Sequence, residues 1–286
     1  MMSENYEKAF GLKEQNLPSS FFKYRGLSEL SLDNLTQNYI WCAEINTLND
    51  PFECSLQFDN DECLRHYFSD EKFHEFFKQK FKLELTKSEI KELTQSKTPY
   101  KTYIETCCKK KIVLSLTPEQ QLKKIQERWE QIREESNQYI KICSFSEIND
   151  SLLLWSHYAD QHKGICVEYD LVNEDKIRPF LQPIVYSEKI FKIGLLEELD
   201  IIRKIGSTLI KSKDWEYEAE WRYTYFRQGP EFLNKIPIGN PIAVYLGTRF
   251  DLNSTELKDQ LFHYLENRKI PFFHMKRHPL EYRLIK

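Results

Sequence analysis

The chain has 286 residues, enough for one large domain or two small ones. With 41% hydrophobic and 30% charged residues, and no run approaching the roughly 18 apolar residues of a membrane span, the composition excludes transmembrane and disordered classes. Lys and Arg total 41 against 44 Asp and Glu, a formal charge of -3, which removes the global cationic field of a nonspecific nucleic-acid binder while leaving room for a local basic groove.

Seven cysteines, Cys42, Cys54, Cys63, Cys107, Cys108, Cys143 and Cys166, form an odd set with one adjacent pair, a poor disulfide framework. The N-terminal MMSENYEKAF lacks the cationic and apolar regions of a secretion signal. A reducing, cytoplasmic setting is therefore expected. Eight glycines, with neither GxGxxG nor GxxxxGK[ST] among them, argue against a glycine-rich phosphate cradle.

In chain order, Phe21–Arg25 reads as a strand, and Ser28 caps a short helix through Leu35. Residues 39–43 read as a second strand, and Leu48-Asn49-Asp50-Pro51-Phe52-Glu53 as a rigid turn. From 60 to 138 the composition shifts to Lys, Glu, Gln, Phe and Leu. Phe73, Phe76, Phe77 and Phe81, then Leu122, Ile125, Trp129 and Ile132, recur at helical spacing.

Beyond this block, alternation predicts strands at 139–146 and 164–169, flanking a helix at 151–159, and one more strand at 182–186. A helix is expected over 192–212 and a strand over 215–225. Strand 242–247, helix 254–268 and strand 272–275 complete the pattern. The expected fold is α+β: a mixed, largely antiparallel sheet built from 1–59 and 139–286, with a helical insertion subdomain at 60–138.

The sharpest chemical signal is the 215–225 segment. Read as a strand, it places Trp215, Tyr217, Ala219, Trp221 and Tyr223 on one face and Glu216, Glu218, Glu220 and Arg222 on the other. Such a carboxylate row is either a solvated edge with Arg222 as counter-ion or a pair set up for acid–base work or for stabilising a developing cation. His157, beside Trp155 and Tyr158, is a general-base candidate or a packed core histidine. A Ser156-His157-Asp160 triad is excluded because neighbours on one helix cannot reach triad geometry. The Asn49-Asp50-Pro51-Phe52-Glu53 stretch is either a rigid turn or one whose amide and carboxylates, on Asn49, Asp50 and Glu53, hold a polar ligand. No His or Cys spacing fits a metal site, so no metal is expected.

Five ordered motifs carry a resemblance: Lys23-Tyr24-Arg25, the Leu48–Glu53 turn, Cys143-Ser144-Phe145-Ser146, Leu154-Trp155-Ser156-His157-Tyr158-Ala159 with Lys163-Gly164, and Trp215-x-Tyr217-Glu218-x-Glu220-Trp221-Arg222. Together, over residues 21–225 outside the insertion, they resemble the bacterial domain-of-unknown-function family 2971. More distantly, the order Arg25, Ser144-x-Ser146, Glu218-x-Glu220 is similar to ADP-ribosyltransferase-like folds, which place a basic residue, a Ser-x-Ser segment and a Glu-x-Glu on successive strands.

That similarity implies an enzyme consuming NAD as substrate, by transfer or by hydrolysis, as an effector of stress or phage defence. Glu220 would be the leading catalytic carboxylate and Glu218 its partner. Arg25 would meet the pyrophosphate, while Tyr24, Trp41 or Tyr158 would stack on a ring. Asn49, Asp50, Ser144, Ser146, Trp155, His157 and Arg222 complete the expected substrate site.

The expected partners are a nucleotide small molecule and a protein or nucleic-acid acceptor, with no membrane. Replacing Glu220 by Gln is expected to abolish activity with melting nearly unchanged. The alternatives are a non-catalytic nucleotide-binding sensor module using Tyr24, Arg25, Asn49, Trp155 and Glu220, or a metal-dependent nuclease using Asp214 with Glu216 or Glu218.

Overall fold

The computed structural model describes residues 15–58, 84–112, 139–193, 206–226 and 234–286, with 11, 13, 61, 65, 68, 69, 74, 75, 78, 127 and 131 as isolated positions. The chain divides into two compact units. The first comprises Met1–Cys54, Glu134–Lys189 and Arg203–Lys286, and the second Ser55–Arg133 and Ile190–Ile202.

The first unit begins with β1 (Phe21–Arg25), α1 (Glu29–Thr36), β2 (Tyr39–Trp41) and β3 (Ala43–Glu44). Ser28 caps α1 by accepting from the Ser31 amide, and Ser31 answers from its own hydroxyl in a capping box. The expected strand 39–43 is broken at Cys42, whose amide donates to the Asn234 carbonyl at 2.7 Å instead of continuing a ladder.

In the second unit β4 (Leu56–Phe58) is followed by α2 (Lys87–Gln95) and α3 (Pro99–Lys109). Thr86 and Glu89 form the capping box of α2, and Pro99 opens α3 where its missing N–H costs nothing. Phe68 and Leu93 are the buried centre of a small core there. The apolar positions expected to organise this block, Phe73, Phe76, Phe77, Phe81, Leu122, Ile125, Trp129 and Ile132, lie outside the described residues.

The first unit resumes with β5 (Ile140–Ser146), α4 (Leu152–Tyr158), β6 (Ile165–Tyr169), β7 (Leu181–Pro183) and β8 (Val185–Ser187). The single strand expected at 182–186 is thus two. A helix over 192–212 is not what the described ends of that stretch form. β9 (Phe191–Ile193) pairs in parallel with β4, and β10 (Ile210–Ser212) pairs in parallel with β8. Residues 194–205 lie outside the described set.

The strand expected at 215–225 begins only at Glu220. Lys213–Glu218 is a 3-10 helix, Ala219 turns back in the left-handed region at φ 43°, and β11 runs Glu220–Phe226. The remainder is β12 (Lys235–Pro237), β13 (Ala243–Leu246), α5 (Thr255–Arg268), β14 (Phe272–His274), β15 (Lys276–Arg277) and β16 (Leu284–Ile285).

The principal sheet runs β14-β13-β6-β1-β5-β11-β7, with β3 also on β5. All its pairings are antiparallel except β13 with β14, so the fold is α+β with a mixed, largely antiparallel sheet. Side chains alternate across it. Phe21, Phe145, Trp221 and Tyr223 point to one side, where Leu32 and Leu35 of α1 and Leu261 and Leu265 of α5 cover them. Phe22, Tyr24, Cys166 and Tyr245 point to the other, beneath Leu154 and Trp155 of α4. Truncating either fully buried tryptophan, Trp155 or Trp221, costs about 3–5 kcal/mol by lost burial and cavity formation.

Two features of this sheet set up the site. β1 and β5 pair only at Phe22 opposite Ser146, whereas β5 and β11 pair along seven rungs, Glu220 opposite Ser146 through Phe226 opposite Ile140. And α4 returns to β6 through Asp160, Gln161 and His162, three consecutive non-glycine residues at φ 45°, 54° and 68°. That return requires Gly164, where a Cβ would stand 2.1 Å from the Arg25 carbonyl oxygen. Gly164→Ala is therefore expected to lower unfolding free energy by more than about 4 kcal/mol in urea titration. Gly26→Ala, whose added carbon meets only the Asp160 Cβ at 3.4 Å, stays within about 1 kcal/mol.

Candidate active site

On the face opposite Trp221 and Tyr223, β11 presents Glu220 and Arg222, and β5 presents Ser146 and Ser144 directly across from them. The sequence-level alternation holds here, because this part is a true strand. It fails for 215–219, so Glu216 takes no part, while the left-handed turn at Ala219 swings Glu218 back to the same place as Glu220. Two hydrogen bonds fix the turn: the Glu147 amide donates to the Ala219 carbonyl at 3.0 Å, and the Ser146 hydroxyl to the Glu218 carbonyl at 2.6 Å.

Arg222 is 1% exposed, and all five of its N–H groups have acceptors. Nε donates to Glu220 Oε1 at 2.6 Å. Nη1 donates to Glu53 Oε1 at 2.5 Å and to the Thr208 carbonyl at 2.7 Å. Nη2 donates to Glu53 Oε2 at 2.8 Å and Glu220 Oε2 at 3.2 Å. Glu53 reaches it from the Leu48–Glu53 turn, in which Asp50 Oδ1 accepts from the Phe52 amide at 2.8 Å and the Asp50 carbonyl from the Glu53 amide at 3.0 Å. Asp50 is thus a buried turn residue that aims Glu53, not a pocket residue.

Lys211, on β10, completes the set. Its ammonium donates to Glu218 Oε2 at 2.6 Å and Glu220 Oε2 at 2.9 Å, and stands 4.8 Å over the Trp215 ring. On the far side of Glu218, the Tyr158 hydroxyl donates to Oε1 at 2.6 Å and accepts from Asn49 Nδ2 at 3.2 Å. Three carboxylates, Glu53, Glu218 and Glu220, thus share two cations in a buried cluster, leaving one negative charge in excess.

The excess falls unevenly. Burial alone would raise the pKa of Glu220, but the Arg222 guanidinium, with Lys211, outweighs it and holds the carboxyl down to about 2. For Glu218 burial wins: the Lys211 ammonium and the Tyr158 hydroxyl pull the other way, and its pKa remains raised. Tyr158 is itself raised by burial and by the Glu218 carboxylate it faces. Adjacent carboxyls with proton affinities pushed in opposite directions are the pattern that separates a proton-exchanging group from a fixed anion.

Between β1 and β5, where their ladder is limited to one pair, lies a cavity of about 170 Å³. Glu218, Glu220, Lys211, Tyr158, Tyr24 and Lys23 are among its lining. Sites that enclose a drug-sized ligand run to about 300–1,000 Å³, and this cavity is smaller than that range.

Of the residues expected from the sequence, Tyr24, Asn49, Ser144, Ser146, Tyr158, Glu218, Glu220 and Arg222 line this cavity. Arg25, Asp50, Trp155 and His157 do not. Trp155 is a core residue whose indole N–H donates to the Asn149 carbonyl at 2.8 Å. His157 is exposed beside Tyr158 and Tyr217. Trp41, weighed as a stacking ring, is 41% exposed on β2 and outside the cavity lining.

Lys23, Lys211 and Thr208 join the site without a signal that singles them out in the sequence. Lys23, whose ammonium donates to the Ser144 carbonyl at 2.6 Å in place of a ladder bond, sits within a quoted motif. Glu53 does too, but nothing local announces its partner. Among the described residues no three His, Cys, Asp or Glu side chains converge to hold a metal ion, and none of the helices is long and apolar enough to cross a membrane.

The network also changes what is expected of Glu220→Gln, because the amide takes the charged acceptor away from Arg222 Nε, Arg222 Nη2 and Lys211 at once. Its stabilising contribution is complete above the ordinary glutamate value near 4.5 and disappears as pH falls through about 2. Glu218 has the opposite sign: the folded chain holds its proton more tightly than the unfolded one, so stability is lost as pH rises through its raised value. In thermal melting, Glu220→Gln is expected to be well below the parent at about pH 7, with the gap closing towards pH 2. Glu218→Gln is expected to gain on the parent as pH rises.

No curated protein and no solved structure matches the chain. Residues 154–223, which run from α4 into β11 and carry Tyr158, Lys211, Glu218, Glu220 and Arg222, match the family described as Protein of unknown function (DUF2971).

Proposed function

We propose that the first unit is an ADP-ribosyltransferase-like or NAD-glycohydrolase-like enzyme, taking the nicotinamide ribose of NAD into the cavity. The observation that carries this reading is the pair Glu218 and Glu220, bridged by Lys211 at the cavity wall with proton affinities displaced in opposite directions. Glu220 has both oxygens engaged by Arg222 and Lys211. Glu218 has one bond on each oxygen, from Tyr158 and from Lys211, and retains lone pairs for a substrate hydroxyl. The leading role therefore passes to Glu218, with Glu220 as the fixed anion that positions Lys211.

In the proposed step the bond between the ribose C1′ and the nicotinamide nitrogen breaks, and its electron pair leaves with nicotinamide. Glu218 accepts a hydrogen bond from a ribose hydroxyl and stabilises the oxocarbenium ion through space. The oxygen of water or of an acceptor hydroxyl bonds to C1′ and gives its proton to Glu218, whose raised proton affinity suits that task. Tyr24 and Tyr158 present aromatic surface to the departing ring. Such an activity suits an effector that drains NAD from a cell under stress or phage attack.

A second reading, a non-catalytic nucleotide-binding module, is favoured by the engagement of Glu218, Glu220, Lys211 and Arg222 with one another, which suits a structural charge cluster beneath a pocket. Nicotinamide release from NAD by the purified chain, with and without cell lysate as acceptor source, separates the two. Release that falls about 10²- to 10⁴-fold in Glu218→Gln, in a variant that still melts cooperatively, is the expected result. Silence in every lane, with NAD raising the melting temperature, would assign the pocket to binding alone.

A further inference from the structure

β15 and β16 pair antiparallel, Lys276 opposite Ile285 and Arg277 opposite Leu284, and the His278 amide donates to the Arg283 carbonyl at 2.9 Å to close the hairpin. Its root is fixed, since Met275 and Leu284 are buried in the cluster that holds Phe22, Tyr24 and Trp155. Its tip is bare. Leu280 is 90% exposed and Tyr282 fully exposed, although an aromatic ring in water forfeits the burial that favours it elsewhere.

The charge of this hairpin runs against that of the chain. Within 276–286 there are four cations, Lys276, Arg277, Arg283 and Lys286, and one carboxylate side chain, Glu281, in a sequence of net charge -3. Glu281 is taken up by Arg283 at 2.5 Å and stands 3.8 Å from the His278 ring. Among the described residues Lys276, Arg277 and Lys286 have no carboxylate partner; Lys286 rests 5.0 Å over the Phe273 ring.

We propose that this hairpin is a docking site for single-stranded nucleic acid, with Lys276, Arg277 and Lys286 along the phosphates and Tyr282 stacked on a base. Charge complementarity selects an anionic partner, and the Arg277 fork suits phosphate. A fully exposed ring on a cationic hairpin suits a single strand held without sequence preference, since every base has a π-face. Two apolar side chains are too little to anchor a lipid surface. The proposal is independent of the chemistry in the cavity and stands or falls without it.

The test is fluorescence anisotropy of the full chain with labelled oligo-dT and oligo-U of about a dozen nucleotides, over a range of salt concentrations. Binding is expected with a slope of log K on log salt of about -2, from three phosphate contacts. Replacing Lys276 and Arg277 together by Ser flattens that slope by about 1.4. Tyr282→Ala weakens binding about 5- to 100-fold at every salt concentration without flattening the slope. Melting temperatures stay at the parent value, because these side chains are exposed, and Lys87→Ser with Lys91→Ser in the second unit leaves binding unchanged. Binding of both oligonucleotides supports the proposal, and binding of one supports it while naming DNA or RNA as the source. No binding at low salt, binding indifferent to the hairpin variants, or capture by phosphatidylserine vesicles in place of oligonucleotides would overturn it.

Discussion

Three stretches of chain that are distant in sequence meet at one buried guanidinium. The Leu48–Glu53 turn supplies Glu53, the segment before β10 supplies the Thr208 carbonyl, and β11 supplies both Arg222 and Glu220. A charge taken out of water at this depth is tolerable only when its hydrogen-bonding capacity is exhausted, and Arg222 meets that condition. The net stability from such a network is small compared with an apolar core of the same volume. Its effect is on geometry: with five donors in a rigid fork, one arrangement of the three segments satisfies it and near alternatives leave a buried donor bare.

Everything at the cavity wall inherits that constraint. Glu220 is drawn to the guanidinium and is thereby an anion at any ordinary pH. Lys211 is drawn to Glu220 and donates a second N–H to Glu218. Glu218, last in the chain of charges, receives less compensation than its burial demands, and its raised proton affinity is the consequence. The asymmetry between two glutamates two residues apart therefore originates at Arg222, whose own hydrogen bonds are all internal.

The parts of this arrangement that were legible in the sequence are the parts with local causes. Ser28 announces the start of α1 because its hydroxyl accepts from the amide three residues on, and Ser151 and Ser254 cap α4 and α5 in the same way. β5, β6 and β13 show in their alternation and β-branching. By contrast Trp215-Glu216-Tyr217-Glu218 alternates as a strand would, yet forms a 3-10 helix. The Ser212 hydroxyl accepting from the Asp214 amide, and the left-handed Ala219, decide the local path. β9 and β10 hid within a stretch whose apolar residues recur at helical spacing, because each is made by pairing with a strand distant in sequence. The site shows the same division. Glu218, Glu220 and Ser144 stand out as residue types in motifs, whereas the bond from Arg222 to Glu53 spans 169 positions, and no local pattern encodes a partner at that distance.

The single pairing between β1 and β5 bears on the shape of the cavity. β14, β13, β6 and β1 form one plate, and β5, β11, β7 and β3 another, each knit by its own ladder. At the seam between them stand the Phe22–Ser146 rung and the Lys23 ammonium on the Ser144 carbonyl. Backbone pairing between the plates is confined to that rung, while each plate is held by its own ladders. The cavity takes Lys23 and Tyr24 from one plate and Ser144, Ser146, Glu220 and Arg222 from the other, so its shape is set by how two separately knit ladders meet.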